Sequence, residues 1–148
     1  MKFVQPLDVD AALADMRRLL GRLAGPDVDL VIESEPGLPP VRFNANVLRH
    51  IVIDVVRAAA EAMPEGGRIA VRACAHTGSV ELTVADTGPA ASAIGLPGPY
   101  APFYVTDGTA SPGVASVHAL AVSNGADVRL ASTPGGGSKL SLYLPVWT

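Results

Sequence analysis

Apolar residues recur at three- and four-residue spacing from Val9 to Leu23, where Val9, Leu13, Met16, Leu20 and Leu23 share one stripe. The spacing predicts an amphipathic helix, with Asp8 as its cap and Gly25-Pro26 as its stop. Phe3-Val4 reads as a short extended start, and Val28 to Glu33 as a strand that the Pro/Gly turn from Pro36 to Pro40 follows. Val41-Arg42-Phe43 is expected to extend the same sheet. From Asn46 to Met63 the chain is rich in Val, Ile and Ala and stops at Pro64, which predicts a long helix apolar enough to lie flat on a sheet. Two alternating runs, Arg68 to Ala75 and Ser79 to Ala85, meet at Thr77-Gly78 as a hairpin.

Between Asp86 and Pro112 the periodicity gives way to Gly, Pro, Ala and Ser, the signature of a functional lid or a disordered segment. Ser111-Pro112 then opens a helix from Gly113 to about Ser123, ended by Asn124-Gly125. Strands at Asp127 to Ala131 and Lys139 to Leu144 flank the turn from Pro134 to Gly137. These elements predict one α+β domain over residues 1–148: a two-layer sandwich in which helices cover one face of a mixed, mostly antiparallel sheet.

Composition narrows this picture. Aromatics are only 5% of the chain against 49% apolar residues, so the core must be aliphatic. A net charge of −3 offers no basic field for nucleic acid or an anionic membrane. Cys74 is the sole cysteine, which excludes an internal disulfide and fits a reducing, cytoplasmic setting. No stretch approaches the ~20 apolar residues that span a bilayer, so no direct membrane insertion is expected.

Four motifs follow in order. The run from Asp54 through Arg57, Ala58, Glu61, Met63 and Pro64 to Gly66-Gly67 is similar to N-L-x-x-N-A-x-E-A-M-P-x-G-G. Val84-Ala85-Asp86-Thr87-Gly88-Pro89-Ala90 is similar to V-x-D-x-G-x-G. Tyr100-Ala101-Pro102-Phe103-Tyr104-Val105-Thr106 is similar to F-x-P-F-x-T-T, and Gly113 to His118 to the end of G-T-G-L-G-L-A-x-V-H. Together they resemble the ATP-binding domain of sensor histidine kinases, the Bergerat fold shared with gyrase B subunits and heat-shock chaperones.

That resemblance implies that Asp86 holds the adenine amino group, with Gly88 allowing close backbone approach and Ser138 supporting the contact. It places a lid at about residues 87–112, with Tyr100, Pro102, Phe103, Tyr104 and Thr106 in it. It also shows departures. The magnesium-binding Asn falls at Ala58, which has no ligand for a hard cation. Asp54 replaces another Asn one turn earlier, and Ala90 replaces a glycine. Thr109-Ala110-Ser111-Pro112 replaces glycines whose amides would cradle phosphates, leaving Gly113. No Lys or Arg lies between Arg72 and Arg129, the stretch that would cover a triphosphate.

His50, Asp54, Ala58 and Glu61 share a helical face. It reads as an ordinary polar edge with His50 paired to Asp54, or as a displaced metal site or proton relay in which His50 and Asp54 are the candidate catalytic groups. Arg57 reads as a partner of Asp54, or as a fixed cation in place of the metal. His118 reads as a packing residue.

The expectation is a two-component signalling module with weak or no Mg-ATP or Mg-ADP binding, working through contacts with a histidine kinase or response regulator. Three alternatives stay open. One is an active catalytic domain whose phosphoacceptor helix lies on another segment or chain. Another is the ATPase-like part of a histidine phosphotransfer scaffold. The third is a binding site for another nucleotide or dinucleotide near Asp86.

Overall fold

The computed structural model describes residues 5–87, 119–132 and 137–147. Helix α1 runs over Val9–Ala24 and opens where Asp8 accepts a hydrogen bond from the Ala11 amide at 3.2 Å. It closes at Gly25, whose amide still donates to the Gly21 carbonyl while its φ of 87° turns the following chain off the helical path. Helix α2, Ala45–Glu61, starts one residue before the sequence expectation because the Asn44 side chain takes the amides of Asn46 and Val47, at 2.9 and 3.0 Å. It ends two residues short of Met63, ahead of Pro64, which cannot continue the helical hydrogen-bond ladder.

Among the described residues the main sheet has five strands, and Pro6–Leu7 (β1) and Val41–Arg42 (β3) stand apart from it. Its members are β2 (Val28–Ser34), β4 (Gly67–His76), β5 (Ser79–Asp86), β6 (Asp127–Ser132) and β7 (Ser138–Pro145), in the order β2-β4-β5-β7-β6. Only β2 and β4 run parallel; the other neighbours are antiparallel. The expectation that Val41-Arg42-Phe43 extends this sheet is corrected: β3 pairs antiparallel with β1 in a separate two-stranded sheet. Val41 also bridges Val146 just past β7, so the small sheet closes one end of the domain.

Strand alternation sorts the two faces. Ile69, Val71 and Ala73 of β4, Val80, Leu82 and Val84 of β5, and Leu140, Leu142 and Leu144 of β7 are buried in one cluster. With them lie Leu13, Met16 and Leu20 of α1 and Leu48, Ile51, Val52 and Val55 of α2. The opposite face carries exposed cross-strand charge pairs, Asp29 with Arg68 at 3.0 Å and Glu33 with Arg72 at 3.7 Å. Both helices therefore cover one face of the sheet, the two-layer arrangement that the sequence predicts. Residues 119–123 are helical, the described end of the helix expected from Gly113.

Candidate functional site

The alternation that buries Val80, Leu82 and Val84 carries on to the last residue of β5 and sets a carboxylate, Asp86, on the core face. In the sheet register Asp86 stands opposite Ile69 on one side and Ser138 on the other. Asp86 is 5% exposed and Ser138 is fully buried. The Ser138 hydroxyl has no hydrogen-bond partner among the described residues. A buried hydroxyl left unmatched costs about 1–3 kcal/mol, so this end of the sheet holds polar capacity that packing alone does not use.

A second polar group lies on α2. Spacing of one helical turn on either side brings His50 and Arg57 to Asp54. His50 Nε2 lies 3.0 Å from Asp54 Oδ2, and an Arg57 terminal nitrogen 2.5 Å from Oδ1. Asp54 is 4% exposed, whereas both partners are more than half exposed. Each oxygen of this buried carboxylate thus has its own donor, which compensates the cost of taking the charge out of water. Ala58, one turn on, offers no side-chain oxygen, and Glu61 is exposed. The donor set on this helix therefore does not suit a hard cation, which needs several oxygens free to face it.

Beside Asp86 lies a junction with the exit of α2 that the sequence did not reveal. Thr87, directly after Asp86, accepts the Arg68 amide on its hydroxyl at 2.9 Å and donates its own amide to the Arg68 carbonyl at 3.1 Å. The hydroxyl also points at the Met63 sulfur, 3.8 Å away, just beyond the end of α2. Gly67 lies between them: a Cβ there would stand 2.6 Å from the Met63 sulfur and 2.9 Å from the Thr87 hydroxyl. The signal available was the Thr inside the Asp-x-Gly turn, a residue able to take an amide on its side chain. Of the other expected site residues, Gly88, Gly113, Tyr100, Pro102, Phe103, Tyr104 and Thr106 lie outside the described residues.

On the sheet face away from α1 and α2, Glu81 accepts from the Tyr143 hydroxyl at 3.0 Å and from the Cys74 thiol at 3.6 Å. Burial pushes the Cys74 thiol above its ordinary value; the hydrogen bond to Glu81 and the charges of Glu81 and Glu35 push it further, against Lys139. Burial, then the same carboxylate, raises Tyr143. Both groups hold their protons more tightly when folded, so the stability linked to them is present below pH 9.0, the ordinary thiol value, and is lost as pH rises through the raised values. Glu81→Gln should speed alkylation of Cys74 by iodoacetamide at pH 8, because thiolate is the nucleophile. The rate should stay below that of an exposed cysteine, since burial is the larger cause.

The family described as histidine kinase-, DNA gyrase B- and HSP90-like ATPases matches residues 43–148. The sensor kinase CckA of Brucella abortus is 29% identical over 94% of the chain, which spans 17% of that protein. The sensor histidine kinase ZraS of Escherichia coli is 26% identical over 97% of the chain, which spans 31% of it. The mycobacterial sensor histidine kinase MprB superposes with a TM-score of 0.76 at 21% identity, covering 97% of this chain and 98% of that one. The chain thus spans less than a third of these curated relatives, and the superposition speaks for the fold.

Proposed function

Since the chain belongs to the family of histidine kinase-, DNA gyrase B- and HSP90-like ATPases, we propose that it is a two-component signalling domain that keeps the base end of the nucleotide site and has lost the metal end. One contrast carries this reading. Asp86 and the open hydroxyl of Ser138 stand side by side at the buried end of β5 and β7, while Asp54 spends both oxygens on His50 and Arg57 and Ala58 supplies none. Among the described residues no group of three His, Cys, Asp or Glu side chains is arranged to hold a metal ion.

When bound, ATP supplies the phosphoryl group that kinase chemistry transfers, and that transfer depends on cations stabilising the moving group. In this chain Asp86 and Ser138 would orient the base, and Arg57, next to Ala58 in the sequence and paired with Asp54, would supply a fixed cation in place of the metal. The domain then works through contacts with a histidine kinase or response regulator, on the cytoplasmic side of signalling. No helix among the described residues is long and apolar enough to cross a membrane.

Calorimetric titration with ADP and ATP, with and without Mg²⁺, tests this. The expected result is weak binding, indifferent to Mg²⁺, that Asp86→Ala reduces by about ten- to a hundredfold, the loss of one charge-assisted hydrogen bond. Micromolar binding that requires Mg²⁺ would instead establish the second reading, an active catalytic domain. That reading is favoured by the preserved Asp86 and Ser138 pair and by the small share of its relatives that the chain spans. Its phosphoacceptor histidine would lie on another segment.

A further inference from the structure

We infer that Thr87 is a positioning residue for the base end of the site, tying the backbone that carries Asp86 to the exit of α2 through Met63 and Gly67. The inference rests on the reading that Asp86 receives a base.

Three observations converge on Thr87. The Asp86 carboxylate can point at a ligand only if the end of β5 is held, and β5 loses its regular pairing with β4 where Asp86 stands opposite Ile69. Past that point the Thr87 amide still donates to the Arg68 carbonyl, as the ladder would, but the Arg68 amide is taken by the Thr87 hydroxyl. The side chain thus substitutes for a rung of the ladder. The hydroxyl proton is directed to the Met63 sulfur, which is held close by the absence of a Cβ at Gly67. Gly67 is in turn fixed from behind, its amide donating to the Asp27 carbonyl at 3.3 Å. The end of α2, the start of β2, the start of β4 and the end of β5 are therefore joined at one place. A shift of α2, the helix that carries Asp54 and Arg57, reaches the Asp86 backbone by this route.

Thr87→Val keeps the shape and removes both hydroxyl interactions, whereas Thr87→Ser keeps the hydroxyl. In the metal-free ADP titration Thr87→Val is expected to weaken binding at least fivefold with the melting temperature within about 2 °C of the parent's, and Thr87→Ser to restore it to within about twofold. Amide exchange at Asp86 and Ser138 should rise about tenfold in the Val variant and not in the Ser variant. Equal affinities in the two variants would overturn the assignment. So would a loss of affinity with unchanged exchange at Asp86 and Ser138, which would make Thr87 a direct ligand contact. If the parent protein binds no ADP, the base reading fails by itself, and exchange decides the positioning role. Faster exchange spreading to Asp86 and Ser138 supports it; a change confined to the Arg68 amide, which loses its acceptor, refutes it.

Discussion

Replacing Phe43 with alanine is expected to lower the unfolding free energy by about 3–5 kcal/mol. Phe43 is 1% exposed and is the largest fully buried side chain among the described residues. Truncation to alanine leaves a cavity that the surrounding side chains fill only in part. It follows β3 directly and precedes Asn44, the residue that caps α2. The ring therefore fixes where the small sheet ends and the long helix begins. The loss is a large part of the ~5–15 kcal/mol that keeps an ordinary domain folded. Urea unfolding should show a lower midpoint with an unchanged slope, and Phe43→Leu should retain more than half of the stability.

Gly66→Ala is expected to cost about 2–5 kcal/mol, and the reason is separable from ordinary turn strain. Gly66 has φ of 93°, and a Cβ there would stand 2.4 Å from the Asp27 carbonyl oxygen, a backbone atom that cannot swing away. Left-handed backbone costs an L-residue about 1–2 kcal/mol, and forcing the two segments apart adds about 1–3 kcal/mol. Gly78 provides the internal control. It has a comparable φ of 73° at the hairpin turn, but nothing lies within 4 Å of its Cβ position. Gly78→Ala should therefore lose only the conformational part. Equal losses in the two variants would show that the contact between the α2 exit and the start of β2 yields easily.

Much of this architecture was legible because it follows from periodicity. The stripe from Val9 to Leu20 and the alternation along β4, β5 and β7 each bury the residues that their spacing selects. The pairing of β1 with β3 was not legible. Each strand has two residues, too few to show a period, and their partnership joins Leu7 to Val41 across α1 and β2. The ion pair of His50 with Asp54 could be read from helical spacing. That Arg57 takes the other oxygen of the same carboxylate depends on side-chain reach, which spacing does not fix. The adjacency of Asp86 and Ser138 was available only through resemblance, because nothing local to either residue signals a partner on a strand so distant in the chain. Thr87 escaped notice because its role lies in what it joins, and that needs the α2 exit and two strands in place.

The position of β7 bears on how the protein comes into being at the ribosome. The last strand in the sequence lies inside the sheet, between β5 and β6. The hairpin of β4 and β5 can form as soon as it emerges, but the outer edge of β5 then waits for Ser138–Pro145, and β6 has no neighbour until the same segment arrives. For the whole interval a nascent chain displays an eight-residue strand edge, open to pairing with other chains. Synthesis halted before residue 138 would leave this edge exposed permanently, so incomplete chains should be bound by chaperones or aggregate rather than persist as a smaller folded domain.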